Sequence, residues 1–162
     1  MLKYALPLVF VVRPSIVYEM LRRRIAEIIP LNKLLGIEII SIGDGVAETR
    51  LPFRSEVTNH IGSMHASAIF GVAEAASGCA MSGAFAPVAL SIRPVAASAQ
   101  VHFSKIARSA LIAHARTSET SEGLRAKLKE AGKVVFDVVV DVRDEAGIDV
   151  AKVTVAWHVA TK

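Results

Sequence analysis

The spacing of hydrophobic and polar positions changes several times along the chain, and each change marks an element. From Ser15 to Ile29 the apolar residues Ile16, Val17, Met20, Leu21, Ile25, Ile28 and Ile29 recur at the three-and-four spacing of a helix face. Pro14 and Ser15 supply a start signal, so an amphipathic helix ending at Pro30 is expected. Two runs, Gly36 to Ile42 and Val46 to Phe53, then flank Gly43-Asp44-Gly45, and in the second Ala47, Thr49 and Leu51 alternate with Glu48 and Arg50. Alternation around a glycine-rich turn predicts a β-hairpin. A polar loop, Arg54 to Ser63, follows. Met64 to Phe85 is rich in Ala, with Ile69, Phe70, Val72 and Met81 distributed around the helical wheel, so the helix expected there must be buried on nearly all sides. At ~1.5 Å per residue such a helix reaches ~33 Å, about the length of a small sheet.

Three further runs alternate: Ala99, Val101 and Phe103 against Gln100, His102 and Ser104; Leu111, Ala113 and Ala115 against His114 and Arg116; and Ala151, Val153, Val155, Trp157 and Val159 against Lys152, Thr154 and His158. Each is expected to be a half-buried antiparallel strand. Val134 to Val142 reads as a Val-rich strand joined to the last one by a turn at Asp144 to Gly147, and Thr120 to Ala131 as a short polar helix or an ordered loop. The order is helix, hairpin, one long buried helix, then at least four strands. An antiparallel sheet wrapped around a central helix satisfies it, which predicts an α+β fold.

Composition narrows the classes of function. The 162 residues suffice for one sizeable core and not for two. Hydrophobic residues make up 52% and charged residues 21%, with no stretch dominated by Pro, Ser or like charge, so a compact chain is expected rather than a disordered one. The apolar run Tyr4 to Val12 is interrupted by Pro7 and falls far short of the ~20 residues of a membrane-crossing helix. Lys3 precedes it, but no small-x-small cleavage site follows before Arg13 and Pro14, which argues against a secretory signal. The expectation is a cytoplasmic protein without membrane association. Residues 1–29 are expected to form an N-terminal extension with an amphipathic helix, and residues 30–162 a single domain. The lone Cys79 excludes an intrachain disulfide and a cysteine-based zinc cluster, so neither metal nor cofactor is expected. The net charge of +4 is modest, and the basic segments Arg22 to Arg24 and Arg125 to Lys129 lack interleaved aromatics for stacking on bases. Nucleic acid is not expected; a phosphate-bearing small molecule such as coenzyme A suits the same charge.

The candidate chemistry lies around the long helix. Between Ala66 and Ile92 the only charged residue is Glu74, and a carboxylate in an apolar helix is costly unless it is paired, hydrogen-bonded or facing a cavity. It is either a buried hydrogen-bond acceptor or part of a functional cavity. His65 stands at the helix start beside the loop residue Asn59, where free backbone N–H groups and the positive end of the helix dipole can stabilise an oxyanion. Taken singly, His65 could be a helix-start or core residue and Asn59 a turn or cap residue. Nine positions separate His65 from Glu74, which at ~100° and ~1.5 Å per residue puts them on opposite faces and ~13 Å apart. If both act on one substrate, the simplest geometry is a two-fold dimer in which Glu74 of one subunit faces His65 and Asn59 of the other.

The stretch Asn59-His60-Ile61-Gly62-Ser63-Met64-His65-Ala66-Ser67-Ala68-Ile69-Phe70-Gly71-Val72-Ala73-Glu74 resembles the signature of hotdog-fold acyl-CoA thioesterases of the phenylacetate-pathway, PaaI-like type. The lead-in Pro30-Leu31-Asn32-Lys33-Leu34-Leu35-Gly36 and the order of elements resemble that family too, so the likeness covers roughly residues 30 to 160. It implies a hotdog fold and hydrolysis of an acyl-CoA thioester by a homodimer or a dimer of dimers. It also implies that Glu74 is general base or nucleophile, that His65 and Asn59 orient substrate or water, and that the Ala66 N–H lies in an oxyanion hole with Ser67 and Gly62 beside the substrate. This chain has Ala66 and Ser67 where many relatives have two glycines, and Glu rather than the commoner Asp at position 74. These departures resemble a subgroup whose substrates are unassigned. A non-catalytic acyl-binding hotdog protein remains the alternative, with a hotdog dehydratase or hydratase behind it because the histidine contexts of those enzymes are missing around His65. Met64, Phe70 and Phe85 are expected to set pocket depth, and Lys105, Arg108 and Arg125 to Lys129 are candidates for the CoA phosphates.

Overall fold

The computed structural model describes residues 13–162, so the apolar run Tyr4 to Val12, with Lys3, lies outside the described residues. Helix α1 spans Pro14–Ile28 with Pro14 in its first turn. It stops there because a residue that precedes proline is pushed out of the helical region, and Ile29 is extended at φ −97° and ψ 103°. Pro30 then opens a second helix, α2 (Pro30–Leu35), which Gly36 ends in the left-handed conformation. The sequence reading stopped at Pro30 and missed α2, since six residues are too few to display a period. Helix α1 packs on the first strand and on the long helix, and its Val17 is buried at 1% exposure.

Strands β1 (Glu38–Ile42) and β2 (Val46–Leu51) form the expected hairpin. A 3-10 turn at Ser55–Val57 and a tight loop lead into α3 (Ala66–Ala84), after which a second 3-10 turn at Ala86–Ser91 feeds β3 (Ile92–Phe103). Strand β4 (Leu111–Thr117), helix α4 (Ser121–Ala131) and the long strands β5 (Lys133–Asp144) and β6 (Asp149–Thr161) complete the chain. Segment 121–131 is a helix rather than a loop because Thr120 caps it, its hydroxyl accepting from the Gly123 N–H at 3.2 Å, and Gly132 closes it.

All six strands join one antiparallel sheet in the order β1-β2-β4-β5-β6-β3. Its concave face closes on α3, which packs against β2, β4, β5 and β6. Ala47, Thr49 and Leu51, then Leu111, Ala113 and Ala115, and the Val-rich inward positions of β5 and β6 are all buried beneath it. The alanines of α3 suit this arrangement, since a helix enclosed by a sheet has room for little side chain if both backbones are to approach. Phe85 fills one end of the core, its ring 5.7 Å from that of Phe136.

Strand β3 differs from expectation. It starts at Ile92 rather than Ala99, and it is exposed on both faces from Arg93 to Gln100, so it is not the half-buried strand that alternation implied. As the last strand of the sheet it bonds only to β6, and α3 does not cover it. A register shift between Ala96 and Ser98 breaks the alternation that would have revealed its first half.

Candidate functional site

The loop before α3 is held by Asn59. Its Oδ1 accepts from the backbone N–H groups of Ile61 and Ser63, each at 3.1 Å, and its Nδ2 donates to Ser63 Oγ at 2.9 Å. This is the loop-bracing role open to any Asx residue at a turn. Gly62 completes the turn at φ +68°, a conformation that disfavours any side chain. Thr58 and Met64 pair across the base of the loop, and the His65 N–H donates to the Val57 carbonyl at 2.9 Å. The loop therefore delivers His65 to one place, the N-cap of α3.

At that cap His65 Nδ1 accepts from the Ser67 N–H at 3.1 Å. An accepting Nδ1 leaves the neutral ring's hydrogen on Nε2, so the outward edge of the exposed imidazole is a donor. The Ala68 and Ile69 N–H groups both donate to the His65 carbonyl, which leaves the Ala66 N–H as the first-turn donor without an acceptor among the described residues. It lies at the positive end of the helix dipole, on an exposed residue.

Further along α3, Ser67, Phe70, Gly71 and Glu74 recur at three-, four- and seven-residue spacing and so share a face. That face lines a cavity of about 500 Å³. Leu31 and Leu35 of α2 form the opposite wall, and Glu56 with Val57 closes one side. Glu74 is half-buried, and this burial raises its carboxyl above the ordinary value. Its helical turn is fixed from the sheet at two points. Thr49 Oγ1 of β2 donates to the Val72 carbonyl at 2.9 Å, and Ser77, which touches the β6 residue Trp157, donates its hydroxyl to the Glu74 carbonyl at 2.7 Å.

The chain thus brings Glu74 and Ser67 to one cavity, while Asn59 and His65 stand outside its lining. Met64, which precedes the N-cap of α3, and Phe85, at its C-cap, both expected to set pocket depth, belong to the core at 2% and 0% exposure. The cavity wall contributed by Leu31, Leu35 and Gly71 escaped the sequence reading. The signal was Gly71, where a Cβ would come within 2.8 Å of Leu35 Cδ1, a close approach of the missed helix α2. Among the basic residues, Arg125 is committed to the far end of α3, where it bonds the Ala84 carbonyl and lies 3.6 Å from Asp44. Lys105 and Arg108 lie on the loop whose Ala107 carbonyl accepts from the Met64 N–H at 2.8 Å, beside the helix start. Among the described residues no group of three or more His, Cys, Asp or Glu side chains could hold a metal, and no helix is long and apolar enough to cross a membrane.

A family model described as a domain of unknown function (DUF4442) matches residues 19–159. No curated protein matches the sequence. Among solved structures, the chain is similar to a Pseudomonas aeruginosa protein of unknown function described as a probable thioesterase, at 24% identity and a TM-score of 0.76, over 89% of this chain and 95% of that one. It is similar to the PaaI protein of the Escherichia coli phenylacetic acid degradation operon at 20% identity and a TM-score of 0.69, over 89% and 94%. A hypothetical thioesterase from Streptococcus pneumoniae, solved with coenzyme A, matches at 17% identity and a TM-score of 0.61, over 78% and 87%. The sheet wrapped around a helix is therefore the hotdog fold of PaaI-type thioesterases, as the sequence resemblance implied.

Proposed function

The chain belongs to the DUF4442 family, and from that premise we propose that it hydrolyses an acyl-CoA thioester to the free acid and CoA. The observation that carries the reading is Glu74, a half-buried carboxylate with a raised pKa facing an apolar cavity of about 500 Å³. In this reading Glu74 takes a proton from water as the water oxygen bonds to the thioester carbon, and the carbonyl oxygen gains negative charge. The Ala66 N–H, unpaired among the described residues, and the Nε2 edge of His65 are the donors for that charge, fixed in place before it develops. The carbon–sulfur bond then breaks, and the departing thiolate receives the proton from Glu74. Direct attack by the Glu74 carboxylate, with water cleaving the resulting anhydride, is the other route open to the same residue.

Because His65 and Asn59 lie outside the cavity lining, the reading includes a two-fold dimer in which Glu74 of one subunit meets His65 and its Asn59-braced loop from the other. Strand β3 supports this. It is a long free edge, exposed from Arg93 to Gln100 and without a charged residue between Arg93 and His102, and such edges ordinarily pair or are protected. Lys105 and Arg108, with no ion-pair partner among the described residues and set beside the helix start, are the cations best placed for the CoA phosphates. The coenzyme A present in the Streptococcus pneumoniae relative supports that ligand class.

The test is thiol release from a panel of short, medium, long and aromatic acyl-CoAs with wild type and Glu74→Ala. Turnover that disappears in the variant supports the reading, and unchanged turnover removes Glu74 from it. Mixing Glu74→Ala with His65→Ala under demonstrated subunit exchange should restore activity through hybrid dimers; failure to do so counts against a shared site. One observation favours the acyl-binding alternative: the Asn59 amide is committed to Ser63 and its own loop rather than offered to substrate. Tight acyl-CoA binding without turnover across the panel would select that alternative.

A further inference from the structure

The cavity that holds Glu74 contains a second carboxylate. Glu56, on the 3-10 turn Ser55–Val57, lines the same space, and none of the lining residues is a cation. The nearest basic side chain in sequence, Arg54, lies outside the lining: its Nη2 donates to the Leu34 carbonyl at 2.7 Å, its guanidinium lies against Gly36, and its charge acts on Glu56 from there. Glu56 is also held as an anion. Its carboxyl accepts its own backbone N–H and the Ser55 hydroxyl, the latter at 3.0 Å, and these bonds, with the charge of Arg54, lower its pKa below the ordinary value. The rest of the lining is apolar or small, from Leu31, Leu35, Val57 and Phe70 to Ala68 and Gly71.

We infer that Glu56 is a specificity-determining residue that turns away acyl groups ending in a carboxylate, so that the substrate class is uncharged aryl or medium-length aliphatic acyl thioesters. The inference rests on the cavity being the acyl site of the function proposed above. Size agrees with it, since an apolar cavity of roughly 150 Å³ accepts one benzene ring and this one is several times larger. Charge does the selecting. A terminal carboxylate entering the cavity meets Glu56 with no cation in the lining and Arg54 offsetting that charge only from outside it, and like charges a few ångströms apart in a water-exposed setting weaken binding severalfold. A neutral tail of equal length has nothing to repel. Glu56 is itself exposed, so changing it alters the cavity's charge without disturbing the core.

The experiment uses two CoA thioethers that cannot be hydrolysed, S-hexyl-CoA and S-(5-carboxypentyl)-CoA, with binding measured by calorimetry on wild type, Glu56→Gln and Glu56→Lys. Wild type should bind the hexyl compound about fivefold more tightly. Glu56→Gln should reduce that ratio severalfold by improving the carboxylated ligand alone, and Glu56→Lys should reduce it further. A ratio that is the same in all three proteins overturns the inference, as does a ratio near one in wild type. Because the thioethers bypass catalysis, the two readings fail separately: a ratio that responds to Glu56 in a chain without turnover keeps the filter and removes the hydrolase. Binding of neither compound overturns both.

Discussion

The indole Nε1–H of Trp157 donates to Ser77 Oγ at 3.2 Å across the buried seam between β6 and α3. Ser77 is fully buried and Trp157 is 7% exposed, so neither group has water as a substitute partner. Removing the acceptor should therefore cost more than the bond is worth, because the indole donor is left unpaired in the core.

Ser77→Ala should destabilise the fold by about 1–3 kcal/mol, measured by urea denaturation followed through the fluorescence of this single tryptophan. In a Trp157→Phe background, read by circular dichroism, the same change should cost ~1 kcal/mol or less, since the stranded donor is gone. Equal costs in both backgrounds would mean that the bond contributes nothing.

Glu74 makes stability depend on pH in a stated direction. Burial raises its carboxyl, so above the ordinary carboxylate value the folded chain keeps a proton that the unfolded chain has released. Its contribution is full below that ordinary value and is lost as pH rises through the raised folded value. The stability difference between wild type and Glu74→Gln should shift against wild type across that window and stay level beneath it. A flat difference across the whole range would show a carboxyl in ordinary surroundings. If the proposed mechanism holds, kcat/KM rises through the same window as the base loses its proton.

Two glycines of α3 should respond oppositely to alanine. At Gly83 a Cβ would stand 2.0 Å from the Gly43 carbonyl oxygen of the β1–β2 turn, and both are backbone that cannot swing aside. Gly83→Ala should cost about 3 kcal/mol or more, the upper end for overpacking. At Gly78 a Cβ would meet the Trp157 ring at 3.5 Å, an ordinary contact. Gly78→Ala should stabilise by roughly 0.5–1 kcal/mol through helix propensity. Thermal melts of the two variants suffice, and a tolerated Gly83→Ala would mean that the hairpin turn moves freely from α3.

Cys79 should be chemically silent in the folded protein. Its thiol is 1% exposed, and burial, reinforced by the Glu74 charge, pushes its pKa up to about 12. A thiol reagent at neutral pH should label it only at the rate of unfolding, and full labelling under native conditions would reveal an opening of the core beside Glu74.

What could be read from the sequence follows from how each segment is buried. The β1–β2 hairpin, β4, β5 and β6 each show one face to α3, and that one-sided burial writes a period of two into Ala47-Thr49-Leu51 and into the Val-rich strands. Strand β3 is exposed on both sides, so nothing selects an alternation over Arg93 to Ser98 and half of it was invisible. Helix α2 was hidden by its length. At the site, Glu74 stood out because it is the one charge in an apolar helix. Glu56 did not, because one more carboxylate in a polar loop carries no mark until the fold sets it beside Leu31 and Leu35. The His65 cap was partly legible. Its position at the helix start could be read, but the choice of Nδ1 as acceptor for the Ser67 N–H depends on a ring orientation that no spacing encodes.

The sheet order has a consequence for how the chain is made. Strand β3 is complete by Phe103, yet its one neighbour in the sheet is β6, which ends at Thr161. A nascent chain must therefore carry the Val95-Ala96-Ala97-Ser98-Ala99 segment unpaired until its β6 partners, Val155 to His158, have emerged, and a ribosome that stalls before them leaves both the segment and the outer side of β5 without a strand beside them. Arg93 and Pro94, at the head of that segment, are the residues able to discourage stray pairing during the wait, one by its charge and the other by lacking an N–H to offer.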